Sequence, residues 1–160
     1  MQLGLGHKSP TTGPSGTVAS VLSAKGAEVY SVSPSDTVFD AIVRMDDKRV
    51  GALLVMDDDR LVGILSERDY ARKVILMGRS SKETPVAEIM SSPVIVVSPD
   101  TPLTECMRIV TERRIRHLPV LDKGRVAGVV SIGDLVRSII TAQAEIIDQL
   151  YAYIHGSYPA

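Results

Sequence analysis

The chain has 160 residues, of which 44% are hydrophobic and 23% are charged, and its formal net charge is −1. A near-neutral chain lacks the surplus of Lys and Arg that duplex DNA requires, and an aromatic content of 4% offers few surfaces on which single-stranded bases could stack. No apolar run approaches the roughly 18 residues of a membrane span. Composition therefore argues against nucleic acid and membrane as partners.

Cysteine and histidine usage narrows the classes of protein further. Cys106 is the single cysteine, so it cannot form an internal disulfide, and we expect a reducing compartment, the cytoplasm. Its place in a helical apolar stripe favours a small buried side chain over a reactive thiol. Three scattered histidines and one cysteine are too few for a zinc site, so no metal is expected.

The chain begins with residues 1–16, rich in Gly, Pro, Ser and Thr, which we interpret as a disordered leader or a tag. Two similar stretches follow. The tripeptide Val-Ser-Pro at 32–34 recurs at 97–99, and further identities continue without a gap at the same offset of 65 residues. We therefore assign residues 17–80 to a first repeat, 81–142 to a second repeat and 143–160 to a C-terminal helical extension.

Each repeat shows the same order of hydrophobic periodicities. A short β-rich run at 28–32 or 94–97 is followed by apolar residues at the spacing of an amphipathic helix, starting at Val38 and Leu103. Two strands joined by a polar turn come next, at 52–56 with 61–65 and at 118–121 with 126–130. Ser66 and Ser131 then open a second helix in each repeat.

The resulting unit is β-α-β-β-α, with a three-stranded sheet and two helices in about 60 residues. A unit of this size buries little core by itself. We therefore predict a mixed α/β (α+β) fold in which the two repeats pack through their sheets as a pseudo-two-fold pair.

The spacing Ser-x-x-Asp occurs at both helix starts, as Ser66 with Asp69 and as Ser131 with Asp134. One interpretation is a capping box, in which the two side chains satisfy backbone N–H groups. The other is a binding site, in which the helix start attracts phosphate and the carboxylate accepts hydrogen bonds from a ribose diol. The spacing leaves both open, and the same serine can serve both.

The segments GILSERD at 63–69 and GVVSIGD at 128–134, with RVGALLVMDDDRLVG and RIRHLPVLDKGRVAG before them, resemble cystathionine-β-synthase (CBS) domains. The resemblance covers nearly everything from 17 to 142 and implies a stand-alone tandem pair, also called a Bateman module. Such pairs are regulatory modules rather than enzymes. They usually bind AMP, ADP or ATP in clefts between the repeats, some bind NAD(H) or S-adenosylmethionine, and many are homodimers.

The resemblance implies two clefts with unequal chemistry. In the first cleft, Ser66 and Asp69 would hold a ribose, and the second repeat would supply Ile115 beside the adenine and Arg116 and His117 at the phosphate. The second cleft would contain Ser131, Asp134, Val50, Gly51 and Ala52. Phosphate contacts there would have to come from elsewhere, and Arg68 is the predicted source.

The sequence contains no phosphate-binding glycine loop of the dinucleotide or nucleoside triphosphatase type and no hydrolase or metalloprotease motif, so we expect no enzyme. The leading hypothesis is an adenosine-nucleotide sensor whose signal a separate downstream protein reads. The alternatives are an NAD(H)-binding redox sensor of the same fold and an interaction or oligomerisation module without ligand. An apolar stripe from Leu135 to Ile154 predicts a long helix, ending near Gly156, that joins a homodimer interface.

Overall fold

The computed structural model describes residues 16–155. The predicted leader, apart from Gly16, and the predicted helix end near Gly156 lie outside the described residues. The chain first forms helix α1 (Val18–Lys25), the first segment of the first repeat. The other elements of this repeat are β1 (Ser31–Val32), α2 (Val38–Lys48), β2 (Ala52–Asp57), β3 (Arg60–Ser66) and α3 (Glu67–Tyr70), which continues as a π-helical turn (Ala71–Ile75).

The second repeat has the same order of elements. A single 3₁₀ turn (Val86–Glu88) corresponds to α1, and the remaining elements are α4 (Leu103–Arg113), β4 (His117–Asp122), β5 (Arg125–Ser131) and α5 (Ile132–Ile154). Even local irregularities recur. Both α2 and α4 end at an arginine with left-handed backbone, Arg49 with φ of 55° and Arg114 with φ of 53°. The mixed α/β fold with two related units is confirmed.

The predicted strand at 94–97 is wrong, because the structure contains only one bridge there. In the first repeat β1 pairs in parallel with β2, and the Leu54 N–H donates to the Tyr30 carbonyl at 3.1 Å. The position that corresponds to Leu54 in β4 is Pro119, which has no N–H to donate. Only Val97 therefore joins β4, through bonds of 3.0 Å to the Pro119 carbonyl and 2.9 Å from the Leu121 N–H.

Each repeat has its own apolar core, and the segment that completes this core is the first segment of the other repeat. Val18 and Val21 of α1 pack with the second-repeat core, which also contains Cys106. Val86 and Ile89, from the turn that begins the second repeat, pack with the first-repeat core. This exchange ties the two units together, because neither core is complete without the first segment of the other unit.

The outer face of β2 is covered as well as its core face. Leu53 and Val55 lie in the first core, whereas Leu54, which must point to the opposite face, belongs to neither core and is still only 1% exposed. At the start of the same strand, a Cβ added to Gly51 would lie 3.6 Å from Cε1 of His117 in β4. The two repeats therefore meet where their central strands begin.

Candidate functional site

The first Ser-x-x-Asp motif forms a complete capping box where β3 becomes α3. The Asp69 N–H donates to Ser66 Oγ at 3.2 Å, and the Ser66 N–H donates to Asp69 Oδ2 at 3.0 Å. The other carboxylate oxygen, Oδ1, accepts a hydrogen bond of 3.2 Å from Ser91 Oγ and lies 3.1 Å from Lys73 Nζ. The capping interpretation is thus confirmed, and it fixes the carboxylate in one orientation.

A cavity of about 380 Å³ opens beside this motif, between the two repeats. The first repeat contributes a polar wall made of Gly51, Ser66, Glu67, Arg68, Asp69 and Arg72. Apolar side chains from β3, from the connection between the repeats and from the second repeat form the apolar part of the lining, here called the apolar wall: Ile64, Pro93, Val94, Ile95 and Ile115. Ser91 and the second-repeat residues Arg114, Arg116 and His117 complete the lining.

The charges around the cavity favour an anion. Four arginines and two carboxylates line it, which leaves a surplus of two positive charges when His117 is neutral. Burial, together with the nearby positive charges of Lys25 and Arg116, holds the pKa of His117 below its usual value of 6.5. The neutral ring can donate one hydrogen bond and accept another, and it places no further charge against the arginines.

The second Ser-x-x-Asp motif also forms a capping box, but the surroundings of its carboxylate differ. The Asp134 N–H donates to Ser131 Oγ at 3.2 Å, and the Ser131 N–H donates to Asp134 Oδ2 at 2.8 Å. The ammonium group of Lys25, at the end of α1, lies 2.7 Å from the same oxygen, and Arg137 contacts Oδ1. Asp134 is buried beneath these cations.

Burial by itself would raise the pKa of Asp134, but the hydrogen bonds from Lys25 and from the Ser131 backbone outweigh it and lower the pKa below the usual value. Asp134 is therefore a carboxylate at neutral pH, with its charge balanced by neighbours from its own chain.

The structure brings seven of the predicted site residues together at one cavity: Gly51, Ser66, Arg68, Asp69, Ile115, Arg116 and His117. Gly51 and Arg68 were predicted for the second cleft, yet both line the first cavity. Arg68 lies in the first turn of the helix that Ser66 caps, and its guanidinium donates to the Arg114 carbonyl at 3.2 Å.

Four predicted residues lie outside this cavity. Val50 packs against the first-repeat core, and Ala52 pairs with Ser66 across the β2–β3 ladder. Ser131 pairs with His117 across β4 and β5, and Asp134 lies behind it in the second capping box. Nucleotide binding at Ser131 and Asp134 stays a prediction.

Sequence reasoning missed Lys25, Ser91 and the apolar wall at 93–95. A signal was present, because the residues of α1 match those at the start of the second repeat at an offset of 68, so that Val18 corresponds to Val86 and Lys25 to Pro93. In space the contacts of Lys25 correspond to those of Ser91, because Ser91 bonds to the Ile64 carbonyl and to Asp69 as Lys25 bonds to the Val129 carbonyl and to Asp134.

The arrangement of two repeats, two capping boxes and an inter-repeat cavity agrees with what comparison with known proteins finds. The family model of the CBS domain matches residues 19–75 and again residues 86–141. The chain belongs to the CBS-domain family. Its two CBS domains form a tandem pair, and CBS domains are regulatory units.

Relatives of known sequence and structure share both CBS domains with this chain. The mitochondrial CBS domain-containing protein CBSX3 of Arabidopsis thaliana is 42% identical over 152 residues, which cover 89% of this chain and 73% of that protein. A CBS-domain structure from Burkholderia ambifaria is 53% identical with a TM-score of 0.78, covering 80% of this chain and 96% of that one. The structure of CBSX2 in complex with AMP is 28% identical with a TM-score of 0.66, covering 79% and 98%.

Two further observations concern partners and metals. Within residues 16–155 no helix is long and apolar enough to cross a membrane. The same residues contain no group of three or more His, Cys, Asp or Glu side chains that could hold a metal ion.

Proposed function

We propose that the chain is a regulatory module that binds an adenosine nucleotide, AMP, ADP or ATP, in the cavity between its CBS domains. The observation that carries the proposal is the composition of this cavity, whose lining combines the apolar wall, a fixed carboxylate and four arginines. Those three parts match the three parts of a nucleotide, which are an apolar ring, a diol and an anionic phosphate. AMP is the ligand named for the related CBSX2 structure.

The apolar wall is suited to the adenine. Val94, Ile95 and Ile115 come from the connection and the second repeat and can cover the two faces of a planar ring. Asp69 is suited to the ribose, because its carboxylate is held by Ser66 and its side chain keeps 14% of its surface exposed at the cavity. A diol can donate hydrogen bonds to Oδ1, the oxygen that now accepts from Ser91 and lies 3.1 Å from Lys73 Nζ.

The arginines are suited to the phosphate. Arg116 is exposed at the start of β4, and Arg68 and Arg72 reach the same cavity from the first repeat. A guanidinium can make two parallel hydrogen bonds to phosphate oxygens, which gives both charge and direction. Regulation then requires that the nucleotide bind one conformation of the pair better than another, and that a downstream protein read the difference.

A thermal-shift panel with AMP, ADP, ATP, NADH and S-adenosylmethionine tests the proposal. A ligand present at 100 times its Kd stabilises the folded state by about 2.7 kcal/mol. We expect an adenosine nucleotide to raise Tm in the wild type, and Arg116→Ala to weaken this effect. Arg113→Ala is the matched control, since Arg113 is an exposed arginine three residues away that does not line the cavity.

The same panel separates the alternatives. A response to NADH that exceeds the response to AMP would favour the redox sensor. If all five ligands leave Tm unchanged, the nucleotide-binding function is refuted and an interaction module is favoured.

We also propose that the chain forms a homodimer through α5. This helix has 23 residues, but its buried residues, Asp134 and Leu135, lie in its first turn. Beyond them a row of large apolar side chains stays exposed, including Ile140, Ile146, Ile147 and Leu150. Apolar surface of this extent marks an interaction site. The cytoplasm stays the predicted compartment, although the Arabidopsis thaliana relative is named as mitochondrial.

A further inference from the structure

The two capping-box aspartates occupy matching positions in the two CBS domains, but they differ in access. Asp69 lines the cavity, and 14% of its side-chain surface is exposed. Only 3% of the Asp134 side-chain surface is exposed, and both of its carboxylate oxygens are engaged by cations of the same chain. The difference therefore arises from the residues around each aspartate and not from the motif itself.

Both aspartates have a lysine partner, but Lys73 is four residues from Asp69 in the chain, whereas the partner of Asp134, Lys25, comes from α1. Helix α1 packs against the second-repeat core through Val18 and Val21, and it ends at Gly26, whose N–H donates to the Leu22 carbonyl at 2.8 Å. This end places the Lys25 ammonium group over β5, where it donates to the Val129 carbonyl at 2.8 Å as well as to Asp134 Oδ2 at 2.7 Å. Two of its three donors are thus used inside the chain.

Other residues around the two aspartates also differ between the first and the second cleft. At the first cavity the matching contacts come from Ser91, which is uncharged: its N–H donates to the Ile64 carbonyl at 2.8 Å and its hydroxyl donates to Asp69 Oδ1 at 3.2 Å. The cation beside Asp69 is Lys73, whose ammonium group lies 3.1 Å from Oδ1. Arg72 lines the first cavity, whereas its counterpart Arg137 is bound to Asp134. In the second cleft the cations that would meet a nucleotide are already paired with the carboxylate that would hold its ribose.

We infer that Lys25 acts as an internal cation that closes the second cleft, so that each chain binds one nucleotide instead of two. This inference rests on the proposed function, because it concerns where and how often the nucleotide binds. Its physical basis is competition. A ribose at Asp134 would have to displace a charged hydrogen bond of 2.7 Å from a buried carboxylate, and charge-assisted hydrogen bonds are about twice as strong as neutral ones.

The test is the stoichiometry of AMP binding, measured by isothermal titration calorimetry on the full chain. We expect one AMP per wild-type chain and two per Lys25→Met chain, with the second site at Asp134. Methionine keeps a long apolar side chain along β5 but removes the ammonium group. Lys48→Met is the matched control, because Lys48 is an exposed lysine on α2 whose ion pair is with its neighbour Asp47, at 3.6 Å; it should bind one AMP like the wild type.

The outcomes distinguish this inference from the proposed function. A wild type that binds two AMP, or a folded Lys25→Met chain that binds no more than the wild type, overturns the inference. A wild type that binds none while Lys25→Met binds one overturns nucleotide binding at the first cavity and supports closure of the second cleft. Absence of AMP binding in all three proteins overturns both.

A second variant covers the case in which Lys25→Met does not fold. Asp69→Asn in the wild-type background keeps an oxygen for the capping bonds from Ser66 but weakens the ribose contact. With the second cleft closed, we expect this change to remove at least nine-tenths of the AMP affinity and to leave no second binding phase. Full-affinity binding that survives Asp69→Asn means that the nucleotide sits elsewhere, and it overturns the inference.

Discussion

His117 lies between the two clefts. Its ring lines the first cavity, and it pairs across the hairpin with Ser131, the residue that caps the helix of Asp134. Burial is the main cause of its low pKa, and the positive charge of Lys25 is the next. The ammonium group of Lys25, beside Asp134 in the second cleft, therefore lowers the pKa of a histidine that lines the first cavity.

The low pKa of His117 predicts a loss of stability in mild acid. In the unfolded chain a histidine titrates near pH 6.5, whereas in the folded protein its pKa is lower, so the unfolded state binds more protons as the pH falls through 6.5. We expect the free energy of unfolding, measured by urea titration without ligand, to decrease from pH 7.5 towards pH 5.5. In His117→Gln this decrease should be smaller.

His155→Gln is the control, because His155 is exposed at the end of α5. It should keep the wild-type pH dependence. Equal slopes in His117→Gln and the wild type would show that this histidine does not carry the effect.

At the scale of elements, the two signature glycines are required by the exchange of segments between the cores. A Cβ on Gly63 would overlap Met90 Sδ and lie 3.2 Å from Met90 Cβ, and a Cβ on Gly128 would lie 2.7 Å from Leu22 Cδ2. Met90 follows the 3₁₀ turn and Leu22 lies in α1, at matching positions. At both glycines a side chain of the exchanged segment packs directly on the strand, so an added Cβ would force that side chain to move.

Gly63→Ala should therefore destabilise the fold by about 1–3 kcal/mol, the usual cost of overpacking a core. Combining it with Met90→Ala should cost less than the sum of the two single changes, because the second change removes the side chain that clashes. Urea denaturation of the four proteins measures this coupling.

Gly133→Ala provides the control for this cycle. An added Cβ there meets nothing closer than 3.6 Å, and the position lies in the first turn of α5. Alanine in a helix is favoured over glycine by up to about 1 kcal/mol, so this change should be neutral or stabilising. Additive costs for Gly63→Ala and Met90→Ala would contradict the packing explanation.

At the scale of the whole molecule, the unsatisfied apolar surface is concentrated on α5. Ile140, Ile147 and Ile154 recur every seven residues along it, and Leu150 lies on the same face. Two such helices from two chains can bury these rows against each other, which a single chain does not do. The proposed homodimer thus provides a partner surface of the same chemistry.

The double change Ile147→Asp with Leu150→Asp should convert the dimer to a monomer, because it would bury carboxylates without partners at the interface. Size-exclusion chromatography with light scattering measures the mass directly. Gln149→Asp adds a charge on the opposite face of α5 and should leave the dimer intact. A monomeric wild type, or a dimer that survives the double change, would refute this interface.

The features that the sequence determined by itself are those that depend on short stretches of chain. The repeat, the amphipathic helices, the hairpins and the two capping boxes follow from periodicity and from Ser and Asp three residues apart, and together they led to the family. The sequence also contains the reason why residues 94–97 do not form a strand, since Pro119 lacks the N–H that Leu54 supplies in the first repeat.

Only the tertiary structure decided which of the two Ser-x-x-Asp motifs has its aspartate exposed at a cavity. Lys25 and Asp134 are separated by 109 positions in the chain and 2.7 Å in space. Their meeting depends on α1 packing against the second core, which no local pattern specifies. The charge and the exposure of each aspartate therefore depend on residues that are distant in sequence, because electrostatic interactions and burial depend on distances in space.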